Sequence, residues 1–476
     1  QAIRLVDRHG REFFGYGGDC GEAPHDYEFS GNGILFADHT PTPKLPEVAY
    51  LYQPFRIAIS RDGIEVENRF LSTGSAGFEG VATLRREGVV LRAERVQVDV
   101  APGASGRVGL PFALPEEPGE YTVDVEFRLR EATPYAPAGH VVASEQAVFA
   151  AQPLVSAEPM VELVETTRLV STGSTSDEGA SRRPELIEGI HNVGVRGPHF
   201  RALFSRLHGG LTSYRYGLTP HGGRELLRSV PQPNFWHAPT SNERGWRMPF
   251  RDAQWLVASR YPGLRPDVAA PEVAVHDDAV EVRYRYVLPT QPASECDVAY
   301  RVSGDGRVEV TVAVRPGEGL PDMPEFGMLF ATDADLHRLR WYGEGPHECY
   351  VDRRGSARLG VWDGDVRTQL PAYLRPQESG SHTGVRWAEV TDERGAGLRF
   401  DCPGGMEFSA LPWTPFEVEN ALHPHELPPI ERTVLRPALM RRGLGGDDSW
   451  GAETLPEYRL PVGQELVFRF GFQGLR

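Results

Sequence analysis

One segment of the sequence gathers several polar residues around a Gly-Pro turn. It reads WYGEGPHECYVDRR and contains Glu344, His347, Glu348, Asp352 and Arg353. His347 and Glu348 are of the types that transfer protons in acid–base catalysis. The alternative, which the pattern alone favours, is a corner between a strand and a loop whose charges pair with each other.

The segment His423-Pro424-His425-Glu426 has the residue types of a metal site. Pro424 favours extended geometry, which would put His423 and His425 on one face. Metal binding needs ligands that converge on one point, and the pattern does not supply that convergence. We therefore favour a solvated loop. Cys349 does not form a nucleophile–base pair with His347 at this spacing, because side chains two apart in a strand share a face without meeting.

The loop GLGGDDSW, which ends at Trp450, has the composition of a carbohydrate contact. Its glycines allow tight turns with positive φ. Asp447 and Asp448 could bind sugar hydroxyls, and the indole of Trp450 could cover an apolar sugar face. A turn whose tryptophan folds back on the protein fits the pattern equally well.

The elements that must position these residues are predominantly β-strands. Apolar and polar residues alternate over residues 64–70, 121–127, 280–287 and 467–472, a pattern that puts one strand face on a core. The 52 glycines and 40 prolines among 476 residues disfavour a helical bundle. Residues 249–260 are the single helix-like exception, with Phe250, Trp255 and Leu256 able to face one side.

The sequence predicts a mainly β protein in four parts. Residues 1–50 are irregular, and residues 51–155 carry about seven short strands typical of an immunoglobulin-like sandwich. Residues 156–188 are rich in Ser, Thr and Gly and predict a flexible linker or insertion. Residues 189–476 predict a large antiparallel β-sandwich.

Composition narrows the class of protein. The 50 Lys and Arg against 66 Asp and Glu give a net charge of −16, which disfavours a nucleic-acid partner. No apolar run is long enough for a membrane helix. Four cysteines without a C-x-x-C pair indicate reduced thiols and a cytoplasmic location. The first residue is Gln1 and no signal peptide follows it, so we expect the chain to start inside a longer reading frame or to be a processed piece.

Several segments, in this order, resemble the carboxyl-terminal half of the bacterial β-galactosidases of glycoside hydrolase family 2. They read YGGDCGEAPHDYEFSGNGILFADHTPTP, EATPYAPAGHVVASEQ, HAPTSNERG, WYGEGPHECYVDR, LRPQESGSHTGVRW, FSALPWTPFEVENALHPHEL and GGDDSW. The resemblance implies that residues 1–50 are the remnant and exit segment of a (β/α)₈ barrel. It also implies that residues 189–476 are the family's small-chain domain.

The resemblance carries three site residues over to this chain. The family motif Phe-x-x-Asn-Gly, whose carbonyl and Asn side chain bind a sodium ion near the substrate, matches Phe29 and Asn32. The tryptophan that stacks on substrate matches Trp450. We therefore expect a partial sodium site at Phe29 and Asn32, and substrate contacts at Asn32 and Trp450.

The implied activity is the retaining hydrolysis of terminal non-reducing β-D-galactosides such as lactose. Retaining enzymes use two carboxylates about 5 Å apart. The family carries both of them, and its magnesium ligands, upstream of the part matched here. We therefore expect no catalytic residue in this chain, inactivity alone, and completion of the site of a larger enzyme. Its expected partners are the galactoside, the missing N-terminal part or a large subunit, and further copies of the complete enzyme.

Two other hypotheses remain open. A stand-alone carbohydrate-binding protein would show measurable galactose affinity in the isolated chain, whereas a piece of an enzyme would show little. The second hypothesis is that the chain is the product of an interrupted gene, which an apparent insertion at residues 166–184 favours. The chain also departs from the family motifs, with Ser241 in place of Asp, His237 in place of Arg, and Cys349 where Asn is common.

Overall fold

The computed structural model describes residues 2–31, 33–151, 183–218, 223–265, 271–448 and 451–476. Two predicted site residues, Asn32 and Trp450, lie outside the described residues, as does most of the predicted linker at 156–188.

The N-terminal segment, residues 2–51, has little regular structure. Strand β1 (Ile3–Val6) pairs antiparallel with β2 (Glu12–Gly15), and helix α1 (Leu45–Leu51) ends the segment. Pro46 lies in the first turn of α1, where a missing backbone N–H removes no helical hydrogen bond. None of the described residues of the segment belongs to either hydrophobic core. The segment therefore depends on other parts of the chain for its position.

The first sandwich, residues 55–151, consists of seven antiparallel strands. These are β3 (Phe55–Ser60), β4 (Gly63–Asn68), β5 (Phe78–Arg86), β6 (Val89–Val96), β7 (Ser105–Val108), β8 (Gly119–Leu129) and β9 (Val141–Ala151). Strands β3, β4 and β7 form one sheet, and the other has the order β6-β5-β8-β9. The Phe55 ring of the first sheet lies 4.9 Å from the Phe127 ring of the second, measured between centroids. The predicted immunoglobulin-like sandwich is confirmed.

The second sandwich, which extends from residue 185 to residue 475, begins with a five-stranded sheet. Its strands are β10 (Glu185–Glu188), β11 (Asn192–Arg196), β12 (Phe200–Ser205), β13 (Leu211–Tyr216) and β14 (Arg224–Glu225). Strand β10 lies within the stretch predicted as a linker. Its four residues are too few for alternation to reveal, and its pairing with β11 defines it as a strand.

The second sheet of this sandwich has 13 strands. They are β15 (Gln232–Asn234), β16 (Gly263–Leu264), β17 (Glu272–Val275), β18 (Ala279–Leu288), β19 (Ser294–Ser303), β20 (Val308–Arg315), β21 (Glu325–Asp333), β22 (Arg338–Gly345), β23 (Arg358–Asp365), β24 (Ser381–Thr391), β25 (Gly397–Leu411), β26 (Arg432–Arg441) and β27 (Leu466–Leu475). Its main path is β15-β21-β26-β25-β27-β20-β19-β18-β16, and β22 joins it through β24. The large antiparallel sandwich is thus confirmed.

Aromatic side chains connect the two sheets of the second sandwich. The Phe204 ring packs 5.5 Å from that of Tyr300, and the Tyr214 ring packs 5.3 Å from that of Phe472. These four side chains are fully buried, and burial stabilises the fold by about 1.5–3 kcal/mol for each large apolar side chain. The core therefore lies between the sheets, and the strand ends and loops are left for the site.

The helices of the second sandwich differ from the prediction. They are α2 (Ser241–Gly245), α3 (Met248–Arg251), α4 (Ala253–Arg260) and α5 (Pro415–Asn420). The prediction of a single helix over residues 249–260 is wrong. The helix is interrupted at Asp252, because the buried carboxylate of this residue pairs with Arg442 at 2.8 Å. Trp255 is buried as predicted, but Phe250 is 88% exposed. No helix in the described part of the chain combines the length and apolar character of a membrane span.

Candidate functional site

A cavity of about 480 Å³ lies where the N-terminal segment meets the second sandwich. Most of its wall comes from five stretches, namely residues 28–31 with Gly33, 240–242, 348–353, 373–378 and 444–445. Each of the five lies within a segment that carries the family resemblance or begins one residue before it, although the five are widely separated in sequence. The fold therefore brings the predicted motifs to one place.

Glu28 joins the N-terminal segment to the second sandwich at this cavity. It lies on a 3₁₀ turn, Tyr27–Ser30, and its side chain is only 10% exposed. Its carboxylate accepts a hydrogen bond from Ser241 Oγ at 3.1 Å. Arg244 Nη1 and Arg375 Nη1 lie 3.5 and 3.6 Å from it. Ser241 suits this neighbour, because an aspartate in its place would face Glu28 with a like charge.

The loop that carries Ser241 is fixed by a capping box. The Thr240 hydroxyl accepts from the backbone N–H of Glu243, and the Glu243 carboxylate accepts from the backbone N–H of Thr240. Because the side chain of each residue accepts the backbone N–H of the other, these two bonds fix the geometry of the first turn of α2. That turn presents Ser241 and Asn242 to the cavity.

His237 stabilises the same loop through a contact with Glu243. Its Nε2 lies 2.8 Å from Glu243 Oε1, and both side chains are fully buried. Burial opposes the charged form of His237, but the adjacent Glu243 carboxylate outweighs burial and raises the pKa of the imidazole. Burial likewise opposes the charged Glu243, but His237 and Arg442 outweigh it and lower the pKa of the carboxyl. His237 and Glu243 thus form a buried ion pair within the segment HAPTSNERG.

The corner that follows β22 is held together by its own charges. Glu348 pairs with Arg353 at 2.5 Å and accepts a hydrogen bond from the backbone N–H of Gly380 at 2.7 Å. His347 Nε2 lies 2.8 Å from Ser356 Oγ, and burial lowers the pKa of this imidazole. These contacts confirm the alternative of paired charges, and the described geometry gives His347 no acid–base role.

Cys349 is a buried thiol in the same corner. Its Sγ lies 3.1 Å from the hydroxyl oxygen of Thr383, and burial raises the pKa of the thiol to about 12. It therefore remains protonated near neutral pH, and its partner is Thr383 instead of His347.

Asp352 fixes the start of the loop that leads to Trp450. Its Oδ2 accepts a hydrogen bond from the backbone N–H of Gly445 at 2.9 Å. A Cβ atom on Gly443 would lie 2.7 Å from the Asp352 carboxyl carbon, so glycine is required for close approach. The glycines of the loop, Gly443, Gly445 and Gly446, do not use the positive φ that the sequence analysis allowed them; Gly451, directly after the loop, has a φ of +124°.

A buried ion cluster lies behind the cavity. Glu378, which lines the cavity, accepts two hydrogen bonds from Arg436 at 2.6 and 2.9 Å. Glu325 pairs with Arg436 at 2.9 Å and with Arg441 at 2.8 Å, and Arg441 lies 3.4 Å from Glu407. Burial raises the pKa of Glu407 to about 7, although Arg441 opposes the shift. The sequence signals this cluster only through Arg436 within the apolar stretch of β26.

His423 forms a second polar contact between the N-terminal segment and the second sandwich, in addition to that of Glu28. Its Nε2 lies 2.9 Å from Asp19 Oδ2, and its Nδ1 lies 3.3 Å from Glu426 Oε1. The Tyr16 ring stacks on the imidazole at 4.7 Å between centroids. The predicted solvated loop is therefore wrong, because His423 is buried and Pro424 starts a 3₁₀ turn instead of an extended segment.

The predicted metal ligands are only partly described. Phe29 lies on the 3₁₀ turn beside Glu28 and lines the cavity, whereas its predicted sodium-binding partner Asn32 lies outside the described residues. Among the described residues, no three His, Cys, Asp or Glu side chains are grouped so that they could hold a metal ion.

Comparison with known proteins gives three family matches in chain order. The glycosyl hydrolases family 2 TIM barrel domain matches residues 1–57, β-galactosidase domain 4 matches residues 64–150, and the β-galactosidase small chain matches residues 196–472. The last match alone covers more than half of the chain.

Similar curated proteins carry the same name. The β-galactosidase of Halalkalibacterium halodurans is 35% identical over 479 residues, which cover 99% of this chain and 44% of that protein. BgaC, a β-galactosidase of Bifidobacterium adolescentis, is 36% identical over 98% of this chain and 43% of its own length. The β-galactosidase small subunit of Latilactobacillus sakei is 32% identical over 61% of this chain and 98% of its own length.

The chain spans less than half the length of the first two relatives and nearly the full length of the small subunit. The resemblance read from the motifs is thus confirmed, and the chain belongs to the β-galactosidase small-chain family within glycosyl hydrolase family 2.

Proposed function

We propose that this chain is part of a retaining β-galactosidase that hydrolyses terminal non-reducing β-D-galactosides such as lactose. In this proposal the chain completes the substrate site and does not supply the catalytic carboxylates. The observation that carries the proposal is the convergence of the family motifs on one cavity between the N-terminal segment and the second sandwich.

The acidic side chains of the cavity support a non-catalytic role. Glu28 is held by Ser241 and two arginines, and Glu348 and Glu378 pair with arginines. Asp352 accepts the backbone N–H of Gly445. Double displacement needs one carboxylate that attacks and one carboxyl that donates a proton. Since each described acid of the cavity already serves a structural contact, we assign that couple to another polypeptide segment.

The proposal includes the ions and the stacking residue that the resemblance implies. A sodium ion would bind the Phe29 carbonyl and the Asn32 side chain, and Trp450 and Asn32 would contact the sugar. Magnesium would bind the complete enzyme through ligands outside this chain. Oxygen donors suit both ions, and an indole suits the apolar face of a sugar.

The exposed apolar side chains of the N-terminal segment support a larger assembly. Ile3 and Val6 are each 62% exposed, and Leu51 is 61% exposed. We propose that the amino-terminal part of the enzyme or a large subunit covers this surface, which matches the end of a barrel domain. The Phe13 ring, by contrast, packs 4.8 Å from that of His423, measured between centroids. Formation of homo-oligomers and a cytoplasmic location belong to the same proposal.

The test is complementation between two polypeptides. The purified chain is mixed with the amino-terminal part of the Halalkalibacterium halodurans relative, and each is assayed alone and together on a chromogenic galactoside. We expect turnover only in the mixture. Turnover by the chain alone contradicts the non-catalytic role, and no turnover in the mixture contradicts the proposed activity.

A matched pair of variants tests the contact that Glu28 makes between the N-terminal segment and the second sandwich. Glu28→Gln removes the charge that Arg244 and Arg375 hold, so we expect the mixture to lose activity. Glu116→Gln makes the same change at an exposed position and should leave activity unchanged. Equal activity of the two variants would contradict the role assigned to Glu28.

A further inference from the structure

Strand β6 forms an exposed edge of the first sandwich. In its sheet, which has the order β6-β5-β8-β9, the outer side of β6 has no neighbouring strand among the described residues. The opposite edge is covered, because Gln146 of β9 exchanges two hydrogen bonds with the backbone of Leu359 in the second sandwich, at 2.7 and 3.0 Å. An edge strand presents N–H and C=O groups to solvent, so β6 offers a row of donors and acceptors to another strand.

The start of β6 is apolar and exposed. Val89, Val90 and Leu91 are consecutive, and they are 63%, 51% and 51% exposed. The strand contains neither proline nor lysine, two residue types that commonly protect an edge against pairing. Exposed apolar side chains on an edge of this kind indicate a surface that binds another polypeptide.

The later part of β6 is regular and charged. Residues 92–96 pair in unbroken register with residues 80–84 of β5, after a shift that leaves Leu91 without a partner on β5. Arg92 and Glu94 lie two positions apart, so their side chains share one face of the strand. The Arg92 Nε lies 2.8 Å from Glu94 Oε1, and the two side chains are 58% and 41% exposed. Both charges are therefore accessible to a second strand.

The charges of β6 are complementary to those of a second β6 strand. When two copies run antiparallel about a two-fold axis at Ala93, Arg92 of each copy lies directly opposite Glu94 of the other. The four charges then alternate in sign, and the smallest side chain of the regular stretch lies on the axis. An axis at Arg92 or at Glu94 would instead place two like charges opposite each other, which is unfavourable. A self-complementary surface is what a contact between identical copies requires, so the charges favour a second copy over a different protein.

We propose that β6 pairs antiparallel with β6 of a second copy of this chain, about an axis at Ala93, so that the two β6-β5-β8-β9 sheets join into one. The association is weak in the isolated chain, because one pair of eight-residue strands buries less than the roughly 1,200–2,000 Å² of a stable interface. The inference rests on the proposed function in one respect, namely that copies of the chain assemble, and it names the surface and the register.

The first test measures association of the full chain by sedimentation velocity. We expect the weight-average sedimentation coefficient of the parent to rise with concentration. Arg92→Glu and Glu94→Arg each place like charges opposite each other twice, so either variant alone should stay monomeric. An equimolar mixture of the two variants restores opposite charges at both positions and should associate as the parent does. Arg340→Glu makes the same charge change at an arginine of similar exposure, 56%, and should leave association unchanged.

The second test places a cysteine on the axis. Ala93→Cys puts two thiols opposite each other with Cα atoms about 4.5–5.5 Å apart, within the range that a disulfide spans. The exposed Cys20 is first removed as Cys20→Ser, since the other three cysteines are buried. We expect a disulfide-linked dimer after mild oxidation. Ser105→Cys is the matched control, because it is an exposed position on β7, an edge strand of the other sheet, and it should give little dimer.

Four results would overturn the proposal. They are a parent whose sedimentation does not change with concentration, association of both charge variants alone, failure of their mixture to associate, and no more dimer from Ala93→Cys than from Ser105→Cys. Thermal unfolding shows whether the charge variants are folded; if they are not, the yield of dimer from Ala93→Cys decides. Complementation is measured by turnover and self-association by sedimentation, so failure of this inference is distinguishable from failure of the proposed function.

Discussion

Glu407 is the member of the buried ion cluster whose removal should stabilise the protein. The cluster contains Arg436 and Arg441 against Glu325, Glu378 and Glu407, so it is neutral only when one acid is protonated. Glu407 has the weakest contacts of the three acids, at 3.4 Å to Arg441 Nη1 and 3.5 Å to Ser381 Oγ. It is therefore the acid that keeps its proton.

The magnitude follows from its pKa. Burial raises the pKa of Glu407 from 4.5 to about 7. Between these pH values the folded state binds more protons than the unfolded state, so the free energy of unfolding falls as pH rises. The stability is fully present below pH 4.5 and is lost as pH rises through 7. A shift of this size corresponds to a loss of about 3 kcal/mol.

Glu407→Gln resembles the protonated acid at every pH and should abolish this loss. We expect urea unfolding to give the variant and the parent equal stability near pH 4.5, and the variant an advantage of up to about 3 kcal/mol at pH 8. Glu325→Gln is the matched control, for which we expect the opposite change in the free energy of unfolding. It removes the shared partner of Arg436 and Arg441 and should cost about 3–5 kcal/mol. A Glu407→Gln protein less stable than the parent at pH 8 would refute the reasoning.

Three further substitutions test other parts of the structure. His237→Ala leaves buried Glu243 without its histidine, and we expect urea unfolding to show a loss of about 3–5 kcal/mol; a loss below about 1 kcal/mol would contradict the ion pair. Ser241→Asp places a like charge beside Glu28 and should speed proteolysis within residues 2–51, whereas Ser241→Ala should do so less. Phe55→Ala removes a ring from the core of the first sandwich and should cost about 3–5 kcal/mol in guanidinium unfolding, while unchanged stability would argue against that core.

The strands were predictable because alternation is a local property of the sequence. Residues 280–287 and 467–472 fall within β18 and β27 as expected. Their partners were not predictable, since β20 pairs with β27 across more than 150 residues of chain. Register over such distances depends on the packing of the whole sheet, which no short window of sequence contains.

Errors at individual residues share this cause. The break at Asp252 follows from its bond to Arg442, 190 positions away. The burial of His423 follows from Asp19, 404 positions away. Residue types near each position suggested a continuous helix and a solvated loop, and the distant charged partner reversed both expectations.

The candidate site was predictable as a set of motifs and not as a geometry. The segments containing Glu348 and Asp352 were identified from their residue types, and both line the cavity. The role of Glu28 was missed, because an isolated acid on a glycine-rich stretch gives no local sign of two arginine partners. Asn32, which only the resemblance indicated, and Trp450, which the composition of its loop indicated as well, stay predictions.

Directional polar contacts hold the N-terminal segment to the second sandwich, together with ring contacts such as that of Tyr16 with His423. It adds no described residue to a hydrophobic core, yet Glu28, Asp19 and Tyr16 each bond to a group of the sandwich. Apolar contact tolerates sliding, whereas hydrogen bonds and ion pairs weaken steeply with misalignment. These polar contacts therefore determine the position of the N-terminal segment more than they determine the stability of the protein. The second sandwich thus sets the position of Phe29 at the cavity. Substitution of Glu28, Asp19 or Tyr16 should therefore change the geometry of the site before it unfolds the chain.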